Sequence, residues 1–95
     1  MKASDYIIKY LYEQKVPCIY EVIGGMITHL IDATYNHEKI NLVSCHHEQA
    51  AAFAADAMGR VTGVPGISLA TSGPGATNLI TGIATCYFDS SPAIF

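Results

Sequence analysis

Ile67-Ser68-Leu69-Ala70-Thr71-Ser72-Gly73-Pro74-Gly75-Ala76-Thr77-Asn78 runs from a short apolar strand through a glycine-rich turn into a helix. Pro74 suits the first turn of that helix, where a missing N–H costs little. The same order occurs earlier in the chain. Ile40-Asn41-Leu42-Val43-Ser44 reads as a strand, and Cys45-His46-His47-Glu48-Gln49-Ala50-Ala51 leads it into a small-residue helix over 48–61. Two strand-to-helix turns of this kind fall on one edge of a parallel sheet, the edge where ligands bind in such folds. A carboxylate at one turn and a glycine-rich loop at the other outline a cofactor site.

The flanking sequence repeats the alternation. Ser4 can cap a helix over 5–14, with Tyr6, Ile7, Tyr10 and Leu11 on one face, and Val16-Pro17 breaks it. Cys18 to Val22 reads as a strand, Gly24-Gly25 as a turn open to close approach, and 26–35 as a helix with Ile27, Leu30, Ile31 and Thr34 in step. After the turn Gly63-Val64-Pro65-Gly66 and the strand 67–70, a single helix is predicted from Pro74 to about Tyr87. The loop Asp89-Ser90-Ser91-Pro92 and a fourth strand, Ala93-Ile94-Phe95, follow. Strands alternating with helices imply an α/β fold: a parallel sheet with right-handed crossovers and helices on both faces. Residues 1–95 read as one domain, without repeat or linker. Because the chain stops inside an apolar run, the domain is expected to be truncated after about four strands.

Hydrophobic residues make up 51% of the 95 and charged residues 14%. A chain this short buries a smaller share of its area than a large one, so the apolar excess points either to a partner surface or to a piece of a larger protein. The net charge of -3, with no basic run, gives no invitation to nucleic acid or an anionic membrane. No apolar stretch is long enough to span a bilayer, and the N-terminus lacks a signal core. Cys18, Cys45 and Cys86 form no CxxC pair and read as reduced thiols of a cytoplasmic protein.

Glu48 admits two readings. An acidic residue is favoured at a helix N-terminus by the helix dipole alone. A carboxylate among Ala50, Ala51, Ala52 and Phe53 is also expected to be desolvated, with a raised pKa, and able to share a proton with a heterocyclic nitrogen. The loop 72–78 is either an ordinary connection or a place where backbone meets a ligand. Gly73 and Gly75 fit the start of the dinucleotide pattern GxGxxG, but Asn78 stands at the third glycine and the distant acidic residue is missing. His46 and His47 are adjacent and chelate poorly together, and the zinc motif HExxH would need a histidine where Ala51 stands, so no metal ligands are assigned to this chain. His47 either flanks a ligand or is a polar residue at a strand end. No GxSxG elbow and no Walker A pattern occur.

His47-Glu48-Gln49-Ala50-Ala51, then Thr71-Ser72-Gly73-Pro74-Gly75-Ala76-Thr77-Asn78, Thr81-Gly82 and Asp89-Ser90-Ser91-Pro92, resemble the N-terminal pyrimidine-binding domain of thiamine-diphosphate enzymes, the acetolactate synthase-like group most closely. The resemblance covers nearly the whole chain and implies a flavodoxin-like fold. It implies that Glu48 bonds N1′ of the cofactor's aminopyrimidine, favouring the tautomer whose 4′-nitrogen removes the thiazolium C2 proton. It gives Gly24 and Gly25 a place near the cofactor's reactive end, and Thr71, Pro74 and Asn78 a place bordering the pyrimidine. Relatives of the acetolactate synthase type commonly carry Tyr-Pro before the glycine pair, where Val22-Ile23 stand here, which puts the substrate in question. The family's Gly-Asp-Gly…Asn motif for diphosphate and Mg²⁺ is absent. The implied magnesium site therefore lies on a diphosphate-binding domain of a second subunit, in a homodimer or homotetramer.

Two functions follow as expectations. The first is the thiamine diphosphate-binding part of a 2-keto-acid synthase or decarboxylase, not active on its own. The alternative is a catalytically inactive flavodoxin-like binding or scaffold module.

Overall fold

The computed structural model describes residues 1–95. Ten elements follow one another: α1 (Ala3–Glu13), β1 (Cys18–Glu21), a 3₁₀ turn (Gly25–Ile27), α2 (Thr28–His37), β2 (Asn41–Ser44), α3 (Glu48–Thr62), β3 (Gly66–Leu69), α4 (Pro74–Asn78), α5 (Ile80–Asp89) and β4 (Ala93–Ile94). The four strands form one parallel sheet in the order β2-β1-β3-β4. This is the α/β fold expected from the alternation. The chain steps from β1 to β2 in one direction and from β2 back across β1 to β3 in the other. Right-handed crossovers then put α2 on one face of the sheet and α3 on the opposite face. α1 packs beside α2, and α5 beside α3.

Local chemistry sets the boundaries. The Lys2 N–H donates to the Asp5 carboxylate at 3.2 Å, so α1 begins before Ser4 rather than being capped by it. Gly63 closes α3 at φ 73°, the left-handed conformation common at helix ends. The helix expected to run unbroken from Pro74 to Tyr87 is instead interrupted at Leu79. The Leu79 N–H turns to the Ala76 carbonyl, and the Ile83 N–H then bonds the Leu79 carbonyl to restart the spiral as α5. Helical spacing continues through the break, so the apolar pattern does not betray it.

The core on the α1–α2 face is built from Ile8, Leu11, Val16, Ile19, Ala33, Ile40 and Ile67. Ile8 is 1% exposed, whereas Tyr6 and Tyr10 stand 62% and 50% exposed. The expected inward stripe of Tyr6, Ile7, Tyr10 and Leu11 is thus corrected to Ile8 and Leu11. Aliphatic side chains fill the space over the β1–β3 pair, and the tyrosines turn their hydroxyls to water. An open apolar groove of about 190 Å³ lies between Ile7, Leu11 and Leu30 above and Leu69, Ile94 and Phe95 below.

The α3–α5 layer packs through small residues. Ala51, Ala52 and Ala55 are fully buried. A Cβ placed on Gly82 would lie 2.2 Å from the Ala52 Cβ, so only glycine lets the helices come this close. Further along, the buried Asp56 carboxylate accepts from Arg60 at 2.9 Å, from the Cys86 thiol at 3.4 Å and from the Ser91 hydroxyl. Arg60 reaches on to Asp89 at 2.7 Å. These bonds hold the far end of α3 to the end of α5.

Candidate functional site

The parallel sheet brings the turns after β1, β2 and β3 to one edge, and the candidate residues meet there. Thr71 follows β3. Its Oγ1 accepts from the Met26 N–H at 3.4 Å, which ties it to the turn after β1. A Cβ on Gly24 would stand 2.4 to 2.9 Å from three Thr71 side-chain atoms, so the turn and the loop touch only because that side chain is missing. On its other side Thr71 meets Gly75, where a Cβ would lie 3.0 Å from Thr71 Cγ2 and 3.6 Å from Glu48 Oε2. Asn78 Nδ2 donates to Glu48 Oε1 at 3.0 Å. Gly24, Thr71, Gly75, Glu48 and Asn78 are therefore continuous in space.

Gly25 opens the 3₁₀ turn and has no atom within 4 Å of its open side. Pro74 does not touch Glu48 through a hydrogen bond. It starts α4, and its carbonyl accepts from Thr77 Oγ1 at 3.1 Å. The turn ahead of it depends on Gly73, at φ 73° and ψ -131°, a conformation that L side chains rarely adopt. Gly75, marked in the sequence only by its partial fit to a dinucleotide pattern, joins the contact, and so does Met26 through its N–H, for which the sequence carried no signal.

His47 caps α3. Its Nδ1 accepts from the Gln49 N–H at 3.0 Å, which satisfies a donor the helix start would otherwise leave unpaired. His47 is thus occupied by the helix, and His46 is exposed. No group of three or more His, Cys, Asp or Glu side chains is placed to hold a metal ion.

The electrostatics of Glu48 correct an expectation. Its carboxyl is held below the ordinary carboxylate range, not above it. The Asn78 amide bond is the main cause; the helix-start N–H of Glu48 and the neighbouring His47 add to it, against a weaker opposing effect of burial. Successive helical residues point in different directions, so Ala51 and Ala52 turn inward while Ala50 and Phe53 face out. The alanines do not enclose the carboxylate, which is only half-buried. The other apolar side chains at this edge are open: Ile23 is 68% exposed and Met26 75%.

Comparison with known proteins bears on this arrangement. Residues 1–95 match the family model described as thiamine pyrophosphate enzyme, N-terminal TPP binding domain. The chain is 48% identical over 94 residues to a probable acetolactate synthase large subunit of Methanocaldococcus jannaschii, covering 99% of this chain and 16% of that protein. It is 42% identical over 94 residues to the acetolactate synthase isozyme 3 large subunit of Escherichia coli K12, again with 99% and 16% covered. With the acetolactate synthase large subunit of Cyanidium caldarium it shares 50% identity over 91 residues, 93% of this chain and 16% of that protein. The chain thus spans about 16% of the length of the curated relatives it matches.

Proposed function

Since this chain belongs to the thiamine pyrophosphate enzyme family as an N-terminal TPP binding domain, we propose that it forms the aminopyrimidine-binding half of a thiamine diphosphate site. The observation that carries the proposal is the Glu48 carboxylate at the sheet edge. Oε1 accepts from Asn78, while Oε2 faces Gly75, where even an added Cβ would stand 3.6 Å away, and so lies on the side left open to a heterocyclic nitrogen. The residues present fit the group: an oriented carboxylate acceptor, a side-chain-free approach at Gly75 and Gly25, and Thr71 and Asn78 at the borders.

When bound, thiamine diphosphate supplies an acidic carbon and an electron sink for 2-keto-acid chemistry. Glu48 is the catalytic residue of this reading: it holds or shares the proton at the pyrimidine nitrogen. Asn78 aims Glu48 and keeps it ionised in the open site. Closing the site removes water from the carboxylate and raises its affinity for a proton, the direction that proton sharing requires. Gly24 and Thr71 set the spacing between the first and third turns. Pro74 fixes the start of α4.

The diphosphate and Mg²⁺ are proposed to lie on a second domain of another subunit, since hard cations take several oxygen ligands and this chain brings no three His, Cys, Asp or Glu side chains together to hold one. The complete enzyme is then at least a dimer; the relatives are named acetolactate synthase large subunits, which supports the reading of a synthase or decarboxylase acting on 2-keto acids. Ile23 and Met26 would meet the substrate and so choose it. Three free thiols favour a reducing, cytoplasmic setting; no helix is long and apolar enough to cross a membrane.

The test is calorimetry with thiamine diphosphate and Mg²⁺, on this chain and on a polypeptide extended into the diphosphate-binding domain. Binding by the extended protein, with Glu48→Gln slowing C2 hydrogen exchange about 10²–10⁴-fold, supports the proposal. No binding by either polypeptide would sink it and leave the inactive scaffold.

A further inference from the structure

Glu21 ends β1, a strand flanked by β2 and β3, and is 1% exposed. Its register partner on β2 is Ser44. Oε1 accepts from the Ser44 hydroxyl, and the Glu21 carbonyl accepts from the Cys45 N–H at 2.7 Å. Oε2 is buried with no partner. A buried carboxylate with an unsatisfied oxygen costs stability, so its remaining bonds invite an account.

The carboxylate fastens Ser44, the last residue of β2, and the backbone bond beside it fastens Cys45, the first residue of the turn leading to Glu48. From the other side, His47 is fastened to α3: its Nδ1 accepts from Gln49, and its carbonyl from the Ala51 N–H at 3.2 Å. Only His46 lies between the two anchors. Glu48 follows directly, and Asn78 meets it from across the site. The carboxylate also faces this turn electrostatically: the Cys45 thiol is pushed up by burial and, after that, by the charge of Glu21.

We propose that Glu21 is a positioning residue, whose carboxylate through Ser44 sets the turn that aims Glu48 at Asn78 and at the cofactor. The proposal rests on the role given to Glu48 for its functional meaning. The placement itself can be read without any cofactor, so failure of either idea is distinguishable from failure of the other.

The test is a carboxyl-carbon NMR titration of Glu48 in the full chain, with labelled glutamate. Asn78→Ala is the reference, and there Glu48 is expected to rise toward the ordinary carboxylate range. Ser44→Ala removes the anchoring donor at an exposed position and opens no cavity. It is expected to raise Glu48 in the same sense while circular dichroism shows the fold intact. Glu21→Gln keeps an oxygen that can accept from Ser44. It is expected to leave Glu48 at its wild-type value, because the bond that anchors Ser44 is kept. An unshifted Glu48 in Ser44→Ala would overturn the proposal. So would a rise in Glu21→Gln equal to that in Ser44→Ala.

Discussion

Replacing Gly82 by alanine is expected to loosen the Glu48 site from one helical turn away. Gly82 lies four residues after Asn78, and Ala52 four residues after Glu48. The Ala52–Gly82 contact therefore sits one turn behind the 3.0 Å bond from Asn78 to Glu48. The new Cβ would stand 2.2 Å from the Ala52 Cβ, whereas carbon atoms rest about 3.5–4.0 Å apart, so α3 and α5 must separate by roughly 1.3–1.8 Å. Overpacking of this size costs about 2–3 kcal/mol. Better helix propensity returns about 1 kcal/mol. The net loss of about 1–2 kcal/mol lowers Tm by roughly 5–15 °C for a domain of this length. If half the separation reaches the next turn, the amide moves beyond about 3.5 Å and the bond is lost. Glu48 then titrates higher.

Thermal unfolding and the carboxyl NMR titration read both effects. Ala52→Gly in the same chain removes the clash: the next nearest Ala52 atoms are 3.3 Å from the new Cβ, and a shift of a few tenths of an ångström accommodates them. The double variant is expected to recover the Glu48 titration, with stability near wild type because the two helices exchange propensities. A single variant that melts and titrates like wild type would refute the reasoning. A double variant as perturbed as the single would do so too.

Asp56→Ala strips acceptors from Ser91, Cys86 and Arg60 and is expected to cost about 2–4 kcal/mol, measured by urea unfolding. The Asp56 carboxyl is held below its ordinary value of 3.8, first by Arg60 and then by Ser91. Its contribution is therefore complete above that value and disappears as pH falls through the lower folded value; the stability difference between wild type and variant should shrink on acidification over that window. Gly24→Ala forces Thr71 aside and is expected to cost about 1–3 kcal/mol and to speed amide exchange at Met26, whose N–H bonds Thr71. Cys86 is buried and its thiol is pushed up mainly by that burial, so it should alkylate more slowly than a model thiol at pH 8 until the chain is unfolded.

Much of this molecule is legible in local sequence. Apolar-rich runs of three to five residues located all four strands, and Gly24, Thr71, Glu48 and Asn78 converge where strand-to-helix turns must fall in a parallel sheet. What escaped depends on partners distant in the chain. Whether Ile7 or Ile8 faces inward is decided by the shape of the sheet beneath α1. The acidity of Glu48 is decided by Asn78, 30 residues on, and not by the alanines beside it. Glu21 looked like any polar strand residue, because Ser44, 23 residues away, supplies the contact that gives it meaning. The interruption at Leu79 leaves no mark in a pattern that stays in helical phase.

The strand order has a consequence for how the chain is made. β1 is synthesised first yet pairs with both β2 and β3, so Ile19 must wait for Leu42 on one side and Ile67 on the other. Such non-local pairing closes long loops before it is rewarded, and it slows folding. Until the ribosome has released β3, β1 presents an open ladder with Ile19 and Glu21 uncovered. A nascent chain stalled in that interval is the species a chaperone would meet, and the one most able to pair with a neighbour of its own kind.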